Sequence, residues 1–177
     1  MAKAKKKKKS TLGYVMLAVV LVFAILAVVG IFLDWTVTQL NGETIEGSGV
    51  TLSDYQKSAE IAGKFGIEES TAGALCAVGY LAVAAVCVLF VAYVIKQLFS
   101  FGLFRIIVII GGVVTAVLGI VAIAYTASVV GDMSTGSIDI GIGELGNNGA
   151  ALGIGCYLTA IGAIGGGLAA ALGSFKK

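Results

Sequence analysis

The chain has 177 residues, of which 58% are hydrophobic and only 12% charged, with no proline and no histidine. A soluble chain carries about 25% charge, so a water-soluble globular domain is excluded. Without histidine, neither a Ser-His-Asp nor a Cys-His catalytic site can be assembled, nor a zinc site that needs one. The net charge of +2 conceals a segregation of signs that the elements reveal in order.

Residues 1–10 form a basic tail holding Lys3 and Lys5 to Lys9. Residues 11–33 are the first of four apolar runs; the others are 71–96, 103–130 and 149–173. About 20 apolar residues rising 1.5 Å each span a hydrocarbon core of about 30 Å. In lipid each span must satisfy its own backbone groups, which selects helices. The runs lack the two-residue alternation of a membrane β-barrel. The first run is longer than the apolar region of a signal peptide and reads as retained. It ends at Trp35, placed as an anchor at the membrane interface, where amphipathic rings are favoured.

Residues 34–70 are too long for a simple link and predict structure of their own. Asn41-Gly42 predicts a two-residue hairpin, with Leu40 opposite Glu43 and Thr38 opposite Ile45. Ser53-Asp54-Tyr55-Gln56 has the form of a capping box opening a short helix. Tyr55, Ala59 and Ala62 share one face of that helix, which ends at Gly63 or Gly66. After the second run, residues 97–102 are a short link, making the second and third helices antiparallel neighbours. Residues 131–148 contain Ile138, Ile140 and Ile142 alternating with Asp139, Gly141 and Gly143. That period predicts a strand, which would pair with the hairpin and offer an edge to a partner. The fourth run is rich in glycine. Gly149 with Gly153, Gly162 with Gly166, and Gly111 with Thr115 and Gly119 in the third run are spaced for close helix packing. Packing within one copy and self-association both use such spacing. Residues 174–177 are a second basic tail.

Ten basic residues (Lys3, Lys5 to Lys9, Lys96, Arg105, Lys176 and Lys177) fall on one side of this layout, and all ten acids fall on the other with Lys57 and Lys64. The positive-inside rule places both termini in the cytoplasm, in the cell membrane. The lysine run is a topology signal beside anionic headgroups, not a nucleic-acid site.

Motifs for chemistry are few. Gly141, Gly143 and Gly146 match a GxGxxG spacing, but the βαβ unit and following acid of a dinucleotide site are missing, so no cofactor is expected. Cys76, Cys87 and Cys156 have no zinc spacing. They read as packing residues, with a Cys76–Cys156 disulfide conceivable if the second and fourth helices touch. The scattered acids form no calcium loop. No ionisable residue lies inside a span, which disfavours a proton relay or a coupled transporter. No catalytic or metal residues are expected.

The layout resembles the claudin and peripheral-myelin-protein superfamily. The likeness rests on four spans, a long first outer loop, Asp34-Trp35-Thr36-Val37 after the first span, and the lead-in GELGNNGAALGIGCYLTAIGAIGGGLAA to the fourth. It implies an extracellular sheet built mainly by the first loop, joined by one strand of the second, with a short helix before the second span. The family's loop cysteines are missing here, so its loop disulfide and its barrier function are not carried over.

The expectation is an all-α membrane protein, a four-helix bundle with a small extracytoplasmic sheet and a short outer helix. Its partners are the lipid bilayer and either its own copies or another membrane protein; no enzymatic activity is expected. The rival reading is a channel or an accessory subunit of a transporter, lined by glycine carbonyls and threonine hydroxyls.

Overall fold

The computed structural model of the protein describes residues 11–40, 43–57, 69–99, 102–133 and 148–175. Their order is α1 (Thr11–Ile31), β1 (Asp34–Leu40), β2 (Glu43–Thr44), β3 (Val50–Thr51), α2 (Leu52–Lys57), α3 (Glu69–Leu98), α4 (Gly102–Met133), β4 (Asn148–Leu152) and α5 (Ile154–Phe175). Valine and isoleucine crowd α1 and α4 although they favour strands in water. A helix nevertheless closes all but its terminal backbone bonds within its own segment, which a lone strand cannot. Four helices, α1 and α3 to α5, are long and apolar enough to cross a membrane.

The helices pack through their small residues. α5 makes its most extensive contacts with α4 and α1, and its sequence has three faces. Gly155, Thr159 and Gly162 meet α1, while Ala160, Ala163 and Gly167 meet α4. The third face, Ile154, Tyr157, Ile161, Leu168 and Leu172, is exposed. The centre of the bundle is therefore narrow, built from Ala24, Ala27, Ala82, Ala122, Ala163, Val83 and Val86. Larger side chains fill its two ends. Trp35, Leu52, Tyr55 and Leu75 pack at the sheet end; Val20, Leu89, Tyr93 and Val108 pack at the other. The buried threonines keep their hydroxyls satisfied: Thr115 donates to the Gly111 carbonyl (2.8 Å), Thr126 to Ala122 (2.7 Å) and Thr159 across to Ala27 of α1 (3.3 Å).

Four strands make one antiparallel sheet with β1 at its centre. β4 pairs along one edge of β1, from Thr36↔Leu152 to Leu40↔Asn148. β2 and β3 follow one another along the opposite edge. Leu40 pairs with Glu43, and the Ile45 amide donates to the Thr38 carbonyl at 3.0 Å, which is the hairpin register expected from sequence. The turn residues Asn41 and Gly42 lie outside the described residues.

Two expectations are corrected. The fourth helix does not begin at residue 149: residues 149–152 are strand, because the exposed β1 edge supplies ladder bonds to a segment of weak intrinsic preference. The helix starts only at Ile154, after Gly153. The short helix is capped by Thr51, not Ser53. The Asp54 amide donates to Thr51 Oγ1 (3.3 Å) and the Thr51 amide to Asp54 Oδ2 (3.2 Å), a reciprocal box of the same spacing as Ser53–Gln56 but two residues earlier in the chain. Ala59, Ala62, Gly63 and Gly66 lie outside the described residues.

Candidate interaction surface at the sheet end

Trp35 is the largest buried side chain joining the sheet to the bundle, with Val50 of β3 and Leu152 of β4 in the same cluster. Trp35 is 0% exposed, and its indole N–H donates to the Gly30 carbonyl at 2.9 Å. That bond satisfies a last-turn carbonyl of α1 which has no partner within the helix. The ring packs among Leu52, Leu75, Cys76 and Cys156. Trp35 is thus not an anchor presented to headgroups, as the sequence suggested. It faces inward because β1 leaves α1 after a two-residue corner, Phe32 and Leu33, and turns that face onto α3.

Glycines let backbones meet at this corner. A side chain on Gly153 would strike the Asp34 and Trp35 backbone, and the Gly153 amide donates to the Trp35 carbonyl at 2.8 Å. Gly155 faces Gly30: a Cβ on Gly155 would lie 2.5 Å from the Gly30 carbonyl oxygen, and one on Gly30 would lie 2.7 Å from that of Gly155. α2 is fixed from both sides. The Thr36 and Tyr55 hydroxyls are 2.5 Å apart and buried, and Cys76 Sγ donates to the Leu52 carbonyl at 3.3 Å. Burial pushes the Tyr55 phenol above its usual range, opposed in part by the Thr36 bond. The Thr51 hydroxyl and amide hold the Asp54 carboxyl below its usual range.

Beyond this anchored base the hairpin stands free. Glu43, Thr44, Ile45, Glu46 and Gly47 are all exposed. Between β2 and β3 the chain departs from the ladder through Gly47, whose φ of 75° suits glycine. Ser48 fills the gap: its Oγ accepts from the Thr38 amide (3.0 Å) and donates to the Ile45 carbonyl (2.7 Å). A side chain thus replaces missing backbone pairing and keeps the exposed segment on the sheet.

The residues singled out for helix packing separate. A Cβ on Gly119 would lie 3.0 Å from the Ala160 carbonyl oxygen, one on Gly162 would lie 2.6 Å from the Ala27 amide, and one on Gly166 would meet Val86 at 2.7 Å. Gly111 faces only the flexible end of Leu89, at 3.3 Å. Gly149 and Gly153 are not helix-packing residues: Gly149 is in β4 with nothing within 4 Å of an added Cβ, and Gly153 serves the strand-to-helix junction. The closest α4–α5 crossing is one the sequence reading missed, Gly112 against Gly167. Each lies beside another glycine, and spacing alone cannot choose between neighbours. Ile138, Ile140 and Ile142, the expected partner strand, lie outside the described residues, as do Gly141, Gly143 and Gly146.

Cys76, Cys87 and Cys156 are free thiols, the first and last buried. No group of three or more metal-ligating side chains occurs among the described residues. No protein-family model matches the chain, and neither a curated protein nor a solved structure matches it.

Proposed function

We propose that the chain is a four-pass protein of the cell membrane, with cytoplasmic termini and an extracytoplasmic sheet whose exposed hairpin binds either its own copies or another envelope protein. Its role is then structural or adhesive rather than enzymatic. The observation that carries the membrane reading is an inverted distribution of size. Large aliphatic side chains such as Val22, Ile25, Val88, Ile110, Val117 and Leu168 are exposed along the helices, while alanine, glycine and threonine are buried. Water would reject such a surface, and lipid accepts it because packing of small residues then drives association. The charge asymmetry of the sequence supports the orientation.

The interaction reading rests on the same end of the molecule. A tryptophan-anchored base carrying an exposed segment, Glu43 to Gly47, suits recognition by strand addition. The arrangement is in keeping with the claudin-like layout, without that family's barrier function. A channel within one copy is less well supported, because alanine and valine fill the bundle axis among the described residues. Alkaline extraction followed by crosslinking in native membranes tests the proposal. It requires a chain that stays in the pellet and forms a discrete crosslinked species through the hairpin; a strictly monomeric chain with no neighbours would contradict it.

A further inference from the structure

Lys96 of α3 and Arg105 of α4 converge on the last turn of α5. The Lys96 ammonium donates to the Gly173 carbonyl (3.2 Å) and to Ser174 Oγ (2.6 Å), and it lies 4.6 Å from the centroid of the Tyr93 ring. Arg105 donates one Nη2 bond to the Phe175 carbonyl at 2.7 Å. The carbonyl end of a helix carries only about half a negative charge, so it cannot balance two full cations. Among the described residues no carboxylate pairs with either cation. The acids among the described residues, Asp34, Glu43, Glu46, Asp54, Glu69 and Asp132, all belong to the sheet end.

The surroundings identify what kind of anion completes the site. Leu98, Leu103 and Phe175, close in sequence to Lys96, Arg105 and the α5 terminus, are exposed at 65%, 68% and 59%, so this end of the helices offers apolar surface as well as two cations. Among the described residues only one of the five guanidinium donors of Arg105 is used, in a fork that matches phosphate oxygens. We propose that the phosphate of an anionic membrane phospholipid seats between Lys96 and Arg105, with its acyl region against Leu98, Leu103 and Phe175. The inference rests on the membrane reading above. Free phosphate shares the charge but has no use for the apolar surface.

Native mass spectrometry of the full chain in detergent tests this, with phosphatidylglycerol, phosphatidylcholine and inorganic phosphate titrated separately. At roughly fivefold per cation near a membrane surface, the pair gives a preference of about twenty-fivefold for phosphatidylglycerol over phosphatidylcholine. The double variant Lys96→Gln, Arg105→Gln should lose that preference. Because both residues also cap α5, Ser174→Ala is the companion: it removes one of the bonds of Lys96 but neither charge, and the preference should persist. Replacing Lys5 to Lys9 by glutamine should also leave it in place. A preference lost with the tail lysines but kept in the double variant would overturn the proposal, as would inorganic phosphate binding as tightly as the lipid. Alkaline extraction separates the two levels of argument: a chain that stays embedded but shows no preference fails this inference alone, whereas a chain released from membranes fails the reading beneath it.

Discussion

The α4–α5 crossing makes the sharpest quantitative demand. A Cβ on Gly112 would lie 2.5 Å from the Gly167 carbonyl oxygen and 3.2 Å from the Ala171 amide, and a Cβ on Gly167 would meet the Gly112 carbonyl and lie 2.9 Å from the Ala116 amide. These are backbone atoms, which cannot rotate aside. Restoring ordinary contact requires the helices to part by about 1 Å, with loss of dispersion along the seam. Gly112→Ala should therefore destabilise by about 1–3 kcal/mol, the range for overpacking. Gly111→Ala, one residue away, meets only the movable tip of Leu89 at 3.3 Å. Gly73→Ala meets nothing within 4 Å and should gain about 0.5–1 kcal/mol from reduced backbone entropy. The double variant Gly112→Ala, Gly167→Ala should cost less than the two singles together, because one separation relieves both clashes. Unfolding in mixed micelles, followed by far-ultraviolet circular dichroism, measures the series. Equal stability of Gly111→Ala and Gly112→Ala would refute the packing described.

The same physical reading makes further demands. The single tryptophan, Trp35, should emit at short wavelength and resist both aqueous quenchers and lipid-borne ones, and its replacement by alanine should cost about 3–5 kcal/mol; strong quenching from lipid would restore the interfacial-anchor role. Thr51→Val should cost about 1 kcal/mol as a lost helix cap, read as faster amide exchange at the start of α2. Because folding depresses the Asp54 carboxyl, its contribution is complete above the ordinary carboxylate range and is lost as pH falls through the folded value. Amide protection in α2 should fall with it, and protection unchanged at acid pH would contradict the cap. Tyr55 runs the other way: its raised phenol should resist ionisation beyond the ordinary tyrosine range, with stability falling as alkaline titration proceeds. Cys76 and Cys156 should stay unlabelled by maleimide until the chain unfolds.

The four long helices were legible because each run is apolar without interruption, and the hairpin register was legible because Asn41-Gly42 fixes which residues oppose. Three things were not. Residues 148–152, NGAAL, carry no strand preference; only the edge of β1 makes them extended, and that edge is a tertiary fact. Trp35 was misplaced because an aromatic residue at the end of an apolar run also describes a belt residue, and what distinguishes them is the direction β1 takes. The glycine crossings were located to within one residue but not resolved, since Gly111-Gly112 and Gly165-Gly166-Gly167 each present several backbones at similar spacing and helix rotation decides which one faces the neighbour. The capping box was displaced for a related reason: Thr51 and Ser53 both precede suitable partners, and the end of β3 determines where the helix opens.

The central claim, four crossings with the sheet on the face away from the basic end, is tested most directly by one pair of introduced cysteines. Ile45→Cys lies on the exposed hairpin and Gly102→Cys at the first residue of α4, where an added Cβ meets nothing within 4 Å; both positions are exposed. With a membrane-impermeant maleimide on intact cells, the account predicts labelling of Ile45→Cys at once and of Gly102→Cys only after permeabilisation. Labelling of Gly102→Cys in sealed cells, or equal labelling of both, would contradict it.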